Sequence, residues 1–182
     1  MAVDIDFKAL NTQRELDALL VQCDASKLPF KESVFDLSVA NFTLHEINPS
    51  SHQEVVLELF RVSKRIMMIE PTPGVGLYKR YTDIWKRAMH SIGRFEDIEE
   101  TSHWQVFLQR CGIKLRKVEI IVRKKNLPNE EVERCIKCAI KIMREYGVVK
   151  EYINELNELI EDAKTTGFKH SDTSVLIGKC PL

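Results

Sequence analysis

At 182 residues the chain supports one full hydrophobic core and is too short for two ordinary domains. Hydrophobic residues make up 44% and charged residues 30%, the balance of a folded soluble domain. The 27 Lys and Arg cancel the 27 Asp and Glu, so no global field draws the chain to nucleic acid or to an anionic membrane. Local basic stretches at Arg61–Arg65 and Lys114–Lys125 alternate with apolar residues, as a solvated helix end or strand face does. Met1-Ala2-Val3-Asp4 has neither the basic start nor the apolar run expected of a targeting leader, and no run is long enough to span a bilayer as a helix. Five cysteines, an odd number without framework spacing, fit a reducing compartment, and the expected location is the cytoplasm.

Ala2–Asp6 reads as the end of a strand. Phe7–Leu20, with apolar Leu10, Leu16, Leu19 and Leu20, reads as a helix running into a short strand at Leu20–Asp24, with a turn at Leu28-Pro29-Phe30. Val34–Ala40 carries few charges, as a strand covered on both faces does. Pro49 with Ser50 and Ser51 starts a helix whose stripe is Val55, Val56, Leu59, Phe60 and Val62. Ile66–Ile69 is the next buried strand, stopped at Glu70-Pro71 and the turn-rich Thr72-Pro73-Gly74. Leu77–Ile92 is an amphipathic helix ended by Gly93, and Ser102–Cys111 another, closed by Gly112.

Val118–Val122 reads as a strand with a late partner at Ser174–Gly178. Between them two helical stripes run from Asn129, a capping residue after Pro128, to Tyr146, and from Lys150 to Lys164. Gly147 and Gly167 end them. Alternating strands and helices predict an α/β fold, a doubly wound and mostly parallel sheet, as one domain over 1–182 with a helical insertion over 129–165 before the last strand.

Three segments carry a resemblance: Cys23-Asp24-Ala25-Ser26-Lys27-Leu28-Pro29-Phe30, then Val34-Phe35-Asp36-Leu37, then Asn41-Phe42-Thr43-Leu44-His45-Glu46-Ile47. With Glu58–Val62 and Ile69-Glu70-Pro71 downstream, they resemble the class I S-adenosylmethionine-dependent methyltransferases, in the branch that includes quinone-biosynthesis methylases. The resemblance covers roughly residues 1 to 122 and implies a Rossmann-like fold. It implies that Asp4 accepts from both ribose hydroxyls and that Ile5 packs on the adenine. It further implies that Asp24 takes the adenine amino group, that the Ala25 N–H reads a ring nitrogen, and that Asn41 lines the methionine end.

Each residue also has a plainer reading. Asp4 or Asp6 solvates a strand end, and Asp24 is an ordinary turn residue. His45, just past a strand end, is either a general base or a lining residue, since many such enzymes need only proximity and alignment. Tyr78, Tyr81 and Trp85 either line a pocket for a small acceptor or belong to a core. Cys135 and Cys138 form a lone C-x-x-C pair in a helical pattern and are read as packing residues, so no metal is expected.

The resemblance also implies a first strand followed by a G-x-G-x-G loop, for which the sequence offers only a poor substitute at Ile66–Gly76. The chain is therefore expected to be an N-terminally truncated form, with cofactor binding and activity in question. The implied first strand lies between the second and the fourth, so without it two strand edges lose a partner. Either Ala2–Ile5 crosses to pair with Val34–Val39, or a homodimer or partner subunit completes the sheet. Two functions stay open: methyl transfer to a small acceptor, and a non-catalytic subunit or interaction module.

Overall fold

The computed structural model describes residues 1–12 and 17–179 of the chain. Leu16, expected on the apolar stripe of the first helix, lies outside the described residues. The elements run in order β1 (Ala2–Asp4), α1 (Phe7–Thr12), β2 (Leu20–Gln22), β3 (Ser38–Asn41), α2 (Pro49–Val62) and β4 (Arg65–Pro71). They continue with α3 (Gly76–Ser91), α4 (Thr101–Arg110), β5 (Lys114–Ile121), α5 (Asn129–Glu145), α6 (Lys150–Thr166) and β6 (Thr173–Lys179). A 3₁₀ turn, Leu44–Glu46, lies between β3 and α2.

The strands form two ladders. β1 and β2 pair in parallel, with Asp4 opposite Gln22. The second ladder has the order β3-β4-β6-β5. β3 is parallel to β4, and β6 runs antiparallel to both β4 and β5, so three of its four strands share one direction. This is the doubly wound α/β architecture expected, closed by one reversed strand.

Two expectations are corrected. β1 does not cross to β3; it stays on β2, held by Ala2 N–H to Leu19 O (2.8 Å) and Cys23 N–H to Asp4 O (3.1 Å). The third strand is also shorter than Val34–Ala40. It begins at Ser38, with only a single bridge from Phe35 to Ser63 before it. Val39 is 49% exposed, because β3 has a strand neighbour on one side alone among the described residues.

Two cores position the site. The first lies between the four-stranded ladder and helices α2 and α4, where Val55, Val56 and Phe60 meet Ile66, Met68, Leu176, Trp104 and Leu108. The α2 stripe expected from spacing is thus largely buried, and Asn48 rather than a serine caps the helix, its Oδ1 accepting from Ser50 N–H at 3.0 Å. In β6, Gly178 is needed for space: a Cβ there would stand 2.4 Å from Ile113 Cγ2.

The second core is mainly helical. α5 and α6 lay Ile136, Ile140, Met143, Leu156 and Leu159 against Ile84 and Ala88 of α3. Ion pairs from Arg80 to Asp162 and from Arg87 to Glu155 fasten α3 to α6. Asn129 is the first residue of α5 rather than its cap; Pro128 holds the cap position without a side-chain bond. Gly147 and Gly167 end their helices at φ 74° and 81°, conformations that glycine adopts without strain.

Candidate functional site

Parallel strands present their carboxyl ends on one side, and the loops that follow them carry the polar residues. Asp4 ends β1, and its Oδ1 accepts from Asp6 N–H at 2.8 Å. Ile5 next to it is exposed. Asp24 follows β2 and accepts from both Ser26 N–H and Ser26 Oγ–H at 2.8 Å. These bonds hold its carboxyl below the usual carboxylate range. Ala25 packs at the rim of the sheet–helix core, and Asn41 ends β3 with an exposed side chain.

Beyond Asn41 the chain turns sharply. Phe42 has φ 49°, a left-handed conformation uncommon for a bulky residue. The turn brings the N–H groups of Thr43 and Leu44 onto Glu70 Oε1, at 3.0 and 2.8 Å. His52 of α2 holds the same 3₁₀ turn from the other side, its Nε2 lying 2.9 Å from Leu44 O and 2.8 Å from Ile47 O. Glu70, in β4, is fully buried. Its second oxygen accepts from His45 Nδ1 at 2.6 Å.

His45 is itself buried, with Nε2 facing 3.6 Å from Glu96 Oε1 and 3.9 Å from Glu46 Oε1. Glu96 arrives from the connection between α3 and α4, which Asp97 N–H fixes by donating to His45 O at 2.8 Å. Burial opposes a charged imidazole at His45, but the bond to Glu70 and the charges of Glu70, Glu96 and Glu46 outweigh it and raise its pKa. Burial pushes the Glu96 carboxyl up to about 7, against the pull of His45 and of a hydrogen bond from Trp85. Glu46 is raised as well, first by desolvation and then, against the pull of His45, by Asp4, whose charge reaches it from the end of β1.

The cluster opens into a cleft of about 350 Å³. Its walls are Glu46, Glu96, Trp85, Phe95, Ile142 and Tyr146 among others, with Arg94 stacked over the Tyr146 ring at 3.9 Å. Of the three aromatic residues expected near a substrate, Trp85 lines this cleft. Tyr78 and Tyr81 pack edge to face on Phe168 in the helical core, and burial raises both their pKa values. α5 contributes Ile142 and Tyr146, so the helical insertion forms part of the wall. A second cleft of about 390 Å³, at the turn between α5 and α6, is bordered by Arg144, Val148, Lys150 and Ile153. Among the described residues the convergence of His and carboxylate groups lies at the first cleft and not at this one.

Sequence reasoning named His45 and missed its partners. Glu70 was legible only as part of Ile69-Glu70-Pro71, a strand end. Glu96 sits in a charged stretch, Arg94 to Glu100, with no pattern that sets it apart from surface carboxylates. Cys135 is half-buried and Cys138 exposed on α5, which leaves the pair outside the site.

Comparison with known proteins bears on the same residues. Residues 1–66 match the family model of the methyltransferase domain. No sequence among the curated proteins matches the chain. Among solved structures, a candidate methyltransferase of Bacillus halodurans C-125 superposes with a TM-score of 0.64 at 16% identity, over 99% of this chain and 82% of that one. The YcgJ protein of Bacillus subtilis gives 0.60 at 12% identity, over 99% and 82%. A SAM-dependent methyltransferase of Methanosarcina mazei gives 0.59 at 15% identity, over 99% and 81%. The ladders, the helices around them and these superpositions together establish that the chain has the Rossmann-like fold of the class I S-adenosylmethionine-dependent methyltransferases.

Proposed function

We propose that the chain is an S-adenosylmethionine-dependent methyltransferase acting on a small acceptor that enters the cleft beside His45. The observation that supports this reading is that Asp4 ends β1, Asp24 follows its parallel partner β2, and Asn41 ends β3, which is parallel to β4, all within the segment that matches the methyltransferase domain model. When bound, S-adenosylmethionine supplies a methyl group on a positively charged sulfur. The donor set suits its adenosine end. Asp4 offers two acceptor oxygens to the two ribose hydroxyls, and Asp24 accepts from the adenine amino group beside the Ala25 N–H. Ile5 offers apolar surface to the ring, and Asn41 faces the methionine end.

On the acceptor side, Trp85 and Tyr146 give an apolar wall, and His45 Nε2 lies behind the lining carboxylates Glu46 and Glu96. With the cofactor bound, an acceptor held in this cleft would be positioned to take that methyl group, and His45 Nε2 would accept the proton that the acceptor gives up. Glu70 stabilises the imidazolium that results, through the Nδ1 bond at 2.6 Å. Calorimetric titration with S-adenosylhomocysteine tests the reading. Binding is expected in the micromolar range, and Asp24→Ala should weaken it by about 10-fold or more, the loss of one hydrogen bond to a charged group. No heat at millimolar ligand would overturn it.

A second reading, a subunit that needs another chain, is favoured by the strand edges. β5, an outer strand, is defended in the usual manner by Lys114, Arg116, Lys117, a register shift between Leu115 and Lys117, and Glu119. β1 and β3 show no such defence: their sequences are Ala-Val-Asp and Ser-Val-Ala-Asn, and Val3 and Val39 are 36% and 49% exposed. A strand from a second copy or a partner subunit would pair with both. Sedimentation velocity should then show association that depends on concentration; a monomer at all concentrations with intact ladders would refute the copy-to-copy pairing.

A further inference from the structure

The group formed by His45, Glu46 and Glu96 has a feature that proton transfer alone leaves unexplained. His45 Nε2 and one carboxylate oxygen from each glutamate lie within 4.8 Å of one another. With Nδ1–H of a neutral His45 on Glu70, its Nε2 is an acceptor, as are the two glutamates when ionised, and a divalent cation favours those states. Nε2 is nine-tenths buried with its side chain and makes no hydrogen bond within the described residues; its two neighbours stand at 3.6 and 3.9 Å. A protonated ring held by these carboxylates would draw them to about 2.7–2.9 Å. Two ligand atoms each about 2.1 Å from one metal ion and tetrahedrally disposed are instead about 3.4 Å apart. The His45–Glu96 spacing of 3.6 Å lies close to that value, and the His45–Glu46 spacing of 3.9 Å is wider, so a bound ion would draw Glu46 inward.

The surroundings are those of a ligating histidine. A metal-bound imidazole almost always gives its other N–H to a carboxylate that fixes the tautomer and the ring plane. Glu70 does this here, and is immobilised by the N–H groups of Thr43 and Leu44. Trp85 stands beside Glu96 in the cleft wall, and Glu46 approaches from the solvent side. Three protein ligands on one side and a cleft of about 350 Å³ on the other make an open site rather than a closed structural one. One imidazole with two carboxylates suits a borderline divalent ion such as zinc, cobalt, manganese or iron, whereas calcium and magnesium take oxygen ligands throughout.

We propose that His45, Glu46 and Glu96 form a binding site for one divalent transition-metal ion, with Glu70 as the positioning residue behind His45 and an open coordination face toward the cleft. The site does not depend on the methyl-transfer reading. If the ion is present during that reaction, Nε2 is a ligand and the acceptor's proton is lost to solvent water through the open cleft instead.

The test uses the full chain, stripped with a chelator and titrated with Co²⁺ and Zn²⁺. One equivalent of either ion should bind, with visible Co²⁺ bands of a four- or five-coordinate site. Glu46→Gln, at the most exposed ligand, and Glu96→Gln should each weaken binding at least tenfold and change the Co²⁺ spectrum. Glu70→Gln should weaken it by about 10–100-fold, as loss of an outer-shell partner does. His45→Ala should abolish it, and if that variant does not fold, Glu46→Gln decides. The double variant Cys135→Ser with Cys138→Ser should bind as the parent does. Stoichiometry near zero, binding that survives in Glu46→Gln and Glu96→Gln, or loss in the cysteine variant would each overturn the proposal.

Discussion

Replacing Glu70 by Gln changes a single atom type at a fully buried position. In the parent, one carboxylate oxygen accepts from Thr43 and Leu44 N–H at 3.0 and 2.8 Å, and the other accepts from His45 Nδ1 at 2.6 Å. Hydrogen bonds to a charged partner contribute about 1.5–3 kcal/mol, roughly twice the neutral value. In Glu70→Gln the carbonyl oxygen keeps the two backbone donors at neutral strength. The amide –NH₂ meets Nδ1, which becomes an acceptor and moves the ring proton to Nε2. Weakening three such bonds gives an expected loss of about 2–3 kcal/mol.

Glu70→Ala goes further, since it leaves two buried N–H groups unpaired at about 1–3 kcal/mol each and opens a cavity. A loss of about 4–6 kcal/mol approaches the whole stability of an ordinary domain, so that variant is expected to be largely unfolded or insoluble. Urea denaturation followed by far-UV circular dichroism measures the Gln variant; with a slope of about 2 kcal/mol/M its midpoint should fall by about 1–1.5 M. Nitrogen-15 shifts of the His45 ring report the tautomer directly. A midpoint within about 0.2 M of the parent, or an Nδ1–H tautomer retained in Glu70→Gln, would show that the carboxylate does not organise the turn.

Three further outcomes follow from the packing and the turns. Gly178→Ala places a methyl 2.4 Å from Ile113 Cγ2 and should cost about 1–3 kcal/mol by overpacking, seen as a lower urea midpoint; an unchanged midpoint would mean that Ile113 yields freely. Leu159→Ala, at a fully buried position between α6 and its neighbours, should cost about 2–5 kcal/mol in the same assay, and a loss under about 1 kcal/mol would show that the helical layer is loosely packed. Ser26→Ala removes one of the two bonds that depress the Asp24 carboxyl, so its pKa should rise toward the ordinary value, as followed by carbon-13 titration. Because the depressed group stabilises the fold above its ordinary pKa and loses that effect as pH falls through the folded value, the variant should also be less sensitive to acid in that window. An unmoved Asp24 pKa would refute the assignment.

What could be read from the sequence is what depends on local periodicity and chain chemistry. The stripe Val55, Val56, Leu59, Phe60, Val62 marks one face of α2 because a helix returns to the same face every three to four residues, and the structure buries all of these but Leu59, which is half-buried. The stripes of α5 and α6 were legible for the same reason, and their glycine stops for a steric one. Strand–helix alternation and the short matches around Asp24 and Asn41 reached the fold class. His45 stood out because a histidine past a strand end is chemically conspicuous.

Tertiary structure decided what depends on distance across the chain. Val34–Ala40 has the composition of a doubly covered strand, yet Val39 is half-exposed, because burial depends on which strands stand beside β3 and not on its own residues. Glu96 looks like any surface carboxylate in sequence. It becomes a buried group with its pKa near 7 only because Asp97 N–H ties its loop to His45 O and Trp85 of α3 covers it. Glu70 reads as a polar strand end and turns out to be the buried acceptor that aims His45. A charge is tolerated at such depth only where donors converge on it, and convergence is a property of three-dimensional packing that no local pattern encodes.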